Sequence, residues 1–222
     1  MRTLNWKEKM KKLIALALLT ATAMTSSAAL VSAKEKGDIL VRMRGIAVTP
    51  DSGGSTDVIG GSADINEAYV PEVDFSYFFT DNIAAELILA TTKHNVGVSA
   101  TTLSRDVDLG DVWLLPPTLT VQYHFQPKSA FSPYIGAGLN YTFFYNEDSG
   151  NDPAVTSVSY DNNIGYALQA GFDYEFSDRW VLNFDVKKLF LKTDVKVNGG
   201  AINANDVDVD PWIFGIGFGY RF

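Results

Sequence analysis

His94 and His124 are the only imidazoles in the chain, and cysteine is absent. Thiolate nucleophiles, disulfides and thiolate metal sites are thereby removed, and two histidines are too few for a histidine-rich metal centre. His94 stands at the end of an extended segment, where an imidazole could act as a base, yet no serine and acid accompany it at a triad spacing. His124 closes another segment near carboxylates and reads as a member of an ion-pair cluster. The acids Asp51, Asp57, Asp64, Asp106, Asp108, Asp111, Glu147, Asp148, Asp152, Asp206 and Asp208 lack the spacing of a calcium loop and read as solvated. No cofactor, metal or catalytic residue is expected. A nucleic-acid partner is also excluded, because 26 acidic residues outnumber 18 basic ones and phosphate binding needs clustered Lys and Arg.

The elements that carry these residues follow from hydrophobic period. Arg2, Lys7, Lys9, Lys11 and Lys12 precede a short apolar run at 13–19 and a small-residue stretch ending at Ala33. This is the layout of a secretory signal, too short to span a bilayer. Cleavage is expected after Ala33, with Ala29 as the other candidate. Losing residues 1–33, five basic and one acidic, would leave 189 residues and move the net charge from −8 to −12.

Beyond residue 33 the apolar residues alternate with polar ones, the period of strands rather than helices. Eight such segments are expected: Asp38–Val48, Tyr69–Phe79, Ile83–Thr92, Leu115–Phe125, Pro133–Phe144, Asn163–Phe176, Trp180–Leu191 and Asp210–Phe222. Each has about the 9–11 residues that a tilted strand needs to cross a bilayer. Short turns at 80–82, 126–130 and 177–179 alternate with long polar connections at 49–68, 93–114, 145–162 and 192–209. The layout is that of an eight-stranded antiparallel transmembrane β-barrel with short periplasmic turns and long outer loops. In the last segment Trp212, Phe214, Ile216, Phe218, Tyr220 and Phe222 share one face, while Gly215, Gly217, Gly219 and Arg221 share the other. An unbroken aromatic face that runs to the chain end suits lipid contact better than a soluble β-sandwich, which would need a second sheet to cover it.

Several stretches resemble the OmpW family of eight-stranded outer-membrane barrels, which includes AlkL-type alkane-uptake proteins. They are the runs 77–87, 115–125, 133–144 and 185–190, and Asp210-Pro-Trp212 through Gly219-Tyr-Arg-Phe222. The family usually carries a His before Pro116, where this chain has Leu115. The resemblance implies localisation in the outer membrane and passage of small hydrophobic molecules.

Strand parity then divides the lumen in two. On the short-turn side the inward set is Arg42, Arg44, Asp74, Gln122, His124, Asp173, Glu175, Asn183, Asp185, Lys187 and Arg221, with Glu86 close by. Mixed charges in a narrow lumen must pair, so this set is expected to form a salt-bridged plug. On the long-connection side the inward set is Ile46, Val48, Val70, Ile88, Ala90, Phe144, Leu189, Leu191 and Ile213. A porin lumen is polar there, so this apolar set is expected to line a pocket for small apolar solutes. Trp113, Leu114 and Leu115 are apolar for a loop and are expected over the pocket mouth or against the outer leaflet. Pro116 and Pro117 cannot donate ladder hydrogen bonds and mark a candidate lateral seam. Two other readings remain open, a structural or receptor barrel without transport and a lipid-acting enzyme. Expected partners are outer-membrane lipid, lipopolysaccharide (through divalent ions on the loop acids), the barrel-insertion machinery and small apolar solutes.

The aromatic periodicity of Phe218, Tyr220 and Phe222 reads as the C-terminal assembly signal of such barrels. Deleting Phe222 is expected to lower the amount inserted into the outer membrane severalfold without changing the unfolding midpoint of the protein that does insert. Quantitative blotting of membrane fractions, followed by urea titration, checks this; unchanged insertion would contradict both the signal and the strand parity.

Overall fold

The computed structural model describes residues 34–51, 62–99 and 105–222. The expected leader and Asp57 lie outside these residues. Alternating sequence gives fourteen strands: β1 (Ile39–Thr49), β2 (Ser62–Ile65), β3 (Ala68–Phe78), β4 (Ile83–Ala90), β5 (Thr92–Ser99), β6 (Val107–Leu115), β7 (Thr118–His124), β8 (Phe131–Asp148), β9 (Val158–Tyr160), β10 (Asn163–Glu175), β11 (Trp180–Phe190), β12 (Lys192–Val197), β13 (Ile202–Asp208) and β14 (Trp212–Arg221). Eight of them close a barrel in the order β1, β3, β4, β7, β8, β10, β11, β14 and back to β1, every pair antiparallel. Closure pairs Leu40 with Arg221 at one end and Thr49 with Trp212 at the other. A closed ladder leaves no edge to satisfy, which is the condition for a sheet to cross hydrocarbon.

Side chains alternate across the wall with the polarity of a soluble protein reversed. Met43, Leu119, Val121, Ile135, Leu139, Ile164, Ile216 and Phe218 are exposed on the outside, while Arg42, Arg44, Asp74, Glu86 and Asp185 are fully buried within. The register therefore cannot slip by one residue without putting both arginines of β1 into lipid. At the short-turn end, Thr80 Oγ1 accepts the Asn82 and Ile83 amides at 3.2 and 2.9 Å. The hydroxyl makes this turn, and Asp81 Oδ1 accepts the Lys36 amide.

The long connections are more ordered than their composition implies. Segments read from sequence as loops carry β2, β5, β6, β9, β12 and β13. β5 pairs with β2 and β6, and β6 with the far end of the 18-residue β8. β9, β12 and β13 form a second small sheet. Val96, Val98, Val107, Leu109, Val112 and Leu114 from the first group pack with Val155, Val158, Tyr160, Val195 and Val197 from the second. The barrel wall thus continues past the membrane as two sheets with a shared apolar interior. Such strands escape a composition-based reading because each pairs with an equally polar-looking neighbour.

The glycine face of β14 has a steric cause. A Cβ on Gly217 would lie 2.0 Å from the Met43 carbonyl oxygen, and one on Gly219 would lie 2.6 Å from Arg42 Cγ. These glycines let β1 approach and leave lumen volume for its arginines. Gly217→Ala is expected to destabilise the barrel by about 1–3 kcal/mol, the usual cost of overpacking, because the obstructing atom is backbone. The loss is measurable as a lower urea midpoint for the gel mobility shift of the unheated protein.

Candidate functional site

The lumen holds two stacked environments. The lower one is built on Arg42 and Arg44, consecutive inward positions of β1. Arg42 donates from Nε to Asp74 (2.7 Å) and from its terminal nitrogens to Glu86 (2.7 Å), Ser76 (2.6 Å) and Asp173 (3.2 Å). Arg44 ion-pairs with Asp74, with Glu86 at 2.8 Å, with Glu72 at 3.0 Å and with Asp185 at 3.3 Å. Lys187 Nζ donates to Glu72 and Asp185, both at 2.8 Å. Neutral side chains take up the remaining lone pairs. Gln169 bridges Glu86 and Asp185, Gln122 donates to Glu86, and the Tyr134 hydroxyl donates to Asp185, each at 2.8 Å. Asn183 donates to Asp173, also at 2.8 Å.

The residues expected in the plug are thus brought together from β1, β3, β4, β7, β10, β11 and β14, and Ser76, Glu72, Tyr134, Gln169 and Lys34 join them. Glu72 shares the inward parity of Asp74 and was legible by the same rule. Tyr134 and Gln169 hold inward parity on β8 and β10, as the uncharged Gln122 and Asn183 of the expected set do on theirs. Lys34 precedes the first strand, and its amine enters from the short-turn end to reach Asp173 at 2.9 Å. Gly37, at φ 98°, lies in the bend that carries this arm beneath the barrel. Arg221 lies lowest, 3.4 Å from Asp38 and 3.7 Å from Glu175, and donates to the Asp178 carbonyl at 2.7 Å. His124 packs between Phe78 and Tyr134, tilted against both with ring centroids 5.0 Å away, and its Nε2 lies 3.2 Å from Gln122 Oε1.

The upper environment is apolar. Directly above the ions, Ile46, Val48, Ala68, Ala167, Leu189 and Ile213 form one buried cluster. A cavity rises from there into the two outer sheets, with Glu72 and Lys187 in its floor and Ile88, Phe144, Leu191, Leu109, Val112, Val195 and Val197 among its walls. The cavity volume is about 100 Å³. One water needs about 10–15 Å³ by that measure, so the void suits a short alkyl chain or a ring. Of the expected lining set, Ile46, Val48, Ile88, Phe144, Leu189, Leu191 and Ile213 face this cavity. Val70 does not; it packs behind, against the Ile46 cluster.

Trp113 and Leu115 also lie elsewhere than over a mouth. They belong to β6, whose alternation turns Val112 and Leu114 inward and sends Trp113 against Tyr145 on the outer face. Pro116 lines the cavity. It and Pro117 separate β6 from β7, and there the wall loses its ladder. β4 pairs with β7 up to Ile88–Thr118, β5 pairs with β6 from Thr92–Leu114, and three residues on each side are unmatched. Thr91 Oγ1 crosses this gap to the Leu114 carbonyl at 3.2 Å. On the β8 side, Asn140 Nδ2 donates to the Pro116 carbonyl at 3.2 Å and the Tyr141 amide to that of Pro117 at 3.1 Å. The break is therefore one-sided.

His94, above the membrane-spanning strands on β5, faces the same cavity, and its Nδ1 lies 2.8 Å from the Asn66 carbonyl. Burial lowers its pKa below the ordinary imidazole value, so it is neutral. Among the described residues, no serine or carboxylate is hydrogen-bonded to it.

Removing one member of a buried ion network leaves its partners uncompensated. Arg42→Met leaves Asp74 and Glu86 to Arg44 alone and Asp173 to Lys34, and is expected to cost about 3–5 kcal/mol. Urea unfolding in micelles measures the loss. A cost below about 1 kcal/mol would mean that the layer is not electrostatically coupled.

The OmpW family model matches residues 35–222. The uncharacterized outer-membrane protein y4mB of Sinorhizobium fredii is 46% identical over 185 residues, covering 82% of this chain and 79% of that one. The crystal structure of OprG from Pseudomonas aeruginosa superimposes with a TM-score of 0.78 at 32% identity, covering 86% of this chain and 99% of that one. The solid-state NMR structure of AlkL in lipid bilayers gives a TM-score of 0.66 at 25% identity, covering 89% and 95%. With the ion-filled lower lumen, the apolar upper cavity and the lipid-facing aromatic strands already in place, this chain belongs to the OmpW family of outer-membrane β-barrels.

Proposed function

We propose that the protein is a passive route for small hydrophobic molecules across the outer membrane, entering the apolar cavity from outside and leaving sideways into the bilayer. The observation that carries this reading is the juxtaposition of an apolar cavity with an ionic floor. Each Å² of solute surface buried there is worth roughly 25 cal/mol, whereas passing downward would mean separating Glu72 from Lys187 and then Arg44 from Asp185 in low dielectric. A hydrocarbon offers nothing to replace those bonds. The lateral route meets a weaker obstacle, the three-residue interruption around Thr91 and Pro116–Pro117, which lies beside the cavity. Resemblance to alkane-uptake barrels supports the same cargo.

In this reading residues 1–33 are the cleaved export signal, and Phe218, Tyr220 and Phe222 address the chain to the insertion machinery. Lys188, whose Nζ lies 5.2 Å above the Trp212 ring and 6.0 Å above that of Phe190, sits on the lipid side near the outer leaflet, where lipopolysaccharide is the neighbour. The protein works without catalysis, cofactor or metal.

Leu189 is buried in the lowest apolar layer, paired with Ala167. Leu189→Asp adds a desolvated carboxylate to the route and is expected to cut octane entry into proteoliposomes at least tenfold. Barrel folding, read from the gel mobility shift, should persist, since the lumen tolerates polarity that the lipid face does not. Phe184→Asp, on that lipid face, should instead impair insertion. Unchanged octane entry at equal protein content would defeat the cavity mechanism in favour of a structural or receptor barrel.

A further inference from the structure

Most of the cavity wall is hydrocarbon, and most of the polar groups that reach it are already occupied. Thr118 donates to the Pro116 carbonyl at 3.0 Å, Thr142 to Asn140 Oδ1 at 2.7 Å and Thr193 to the Asp161 carbonyl at 2.9 Å. Glu72 and Lys187 satisfy each other. Three groups differ. Thr92 and His94, alternate inward positions of β5, are both buried and both line the cavity. The Thr92 hydroxyl has no hydrogen-bond partner among the described residues, and the His94 ring bonds only through Nδ1. From the facing sheet, the Tyr160 hydroxyl is buried without a partner in the same wall.

The chemistry of these groups is determined by their surroundings. A carbonyl can only accept, so His94 Nδ1 must carry the proton toward Asn66, and Nε2 then presents a lone pair. Burial holds the ring neutral and raises the Tyr160 pKa, which keeps the phenol a donor. An acceptor and two hydroxyls thus border an otherwise greasy volume, and leaving them unsatisfied carries the desolvation cost of each. Phe144 stacks on Tyr160 with centroids 5.6 Å apart, so an apolar surface adjoins the polar groups.

We propose that Thr92 and His94, with Tyr160 opposite, form a subsite for an uncharged hydroxyl head group, so that the preferred cargo is an amphiphile such as a medium-chain alcohol rather than a plain hydrocarbon. The ligand hydroxyl donates to His94 Nε2 and accepts from Thr92, while its alkyl tail lies among the valines and Leu189. A carboxylate is disfavoured, because no unpaired cation lies among these groups. The inference deepens the uptake reading, resting on it for the cavity's role as a route, but the subsite can be tested by binding alone.

With only two histidines in the chain, isotope labelling of histidine nitrogens gives a resolved NMR probe of the protein in lipid nanodiscs. Octanol is expected to move the His94 Nε2 resonance upfield saturably, as accepting a hydrogen bond requires, and to leave His124 in the ionic layer unmoved. Octane and octanoate should not move it. Thr92→Val is expected to weaken octanol binding roughly three- to tenfold, the range for losing one hydrogen bond. No saturable displacement by octanol, or an equal displacement by octane, overturns the subsite. Octane entry into proteoliposomes is read separately. If entry fails while His94 responds to octanol, the uptake reading falls and the subsite stands.

Discussion

Two guanidinium groups on consecutive inward positions of one strand set the terms for the rest of this barrel. Arg42 and Arg44 cannot face lipid and cannot be left unpaired within a narrow lumen, so carboxylates must arrive at their level from the neighbouring strands. They come from β3, β4, β10 and β11, and β14 contributes glycine to make room. An apolar filling of the same volume would cost less to desolvate. What ions add is direction: each guanidinium ties β1 to strands on both sides of the barrel, and a one-residue slip of any of them breaks several charge pairs at once. Here the network acts as a register clamp as much as a source of stability.

The same layer shapes what lies above it. Because the ion network, with Lys34 drawn in from the chain before β1, and the small apolar cluster of Leu40, Phe78, Ala84 and Val181 fill the lower lumen, the remaining inward positions of the barrel need only close over an apolar top. Ile, Val, Ala and Leu do this with short side chains, and the outer sheets extend the apolar interior instead of filling it. Glu72 and Lys187 sit at the boundary, paired below and bordering hydrocarbon above. Water-filled porin lumens arise where strands are numerous enough to hold the ring open. With eight strands, a polar channel and a sealed ionic layer are alternatives, and this sequence takes the second.

Much of this was legible before any coordinates. A period of two tied to a terminal aromatic face divides the eight barrel strands into lipid and lumen sides, and the charged and apolar halves of the lumen follow from parity alone. Three kinds of feature escaped. Gln169 and Tyr134 hold inward parity like Gln122 and Asn183, yet their place in the ion layer shows only once Glu86 and Asp185 are beside them. Lys34 stands outside any strand, where parity has no meaning. The outer strands were read as loops because Gly, Asn and Asp dominate their composition, and their apolar faces, such as Val96 and Val98 or Val195 and Val197, gain meaning only when the second sheet is opposite. Trp113 was read as part of a loop for that reason, since the outward side of an unrecognised strand resembles an apolar loop.

The position of the ladder break follows from these layers. A gap in the wall at the level of the arginines would open the ion network to lipid, and a gap near the short-turn end would free the strand ends that hold Arg221. At Pro116–Pro117 the interior behind the wall is already apolar, so losing ladder bonds exposes only backbone, and most of that is recovered locally. Proline removes two donors outright, Asn140 and the Tyr141 amide serve the two proline carbonyls, and the Thr91 hydroxyl serves that of Leu114. The barrel can therefore sustain a weak point there at small cost, between the strands that cross the membrane and those that continue beyond it. Whatever enters the cavity from above meets, at its floor, charges that do not part and, at its side, a wall held by single side-chain hydrogen bonds. The proposed route for apolar cargo rests on that difference between floor and side wall.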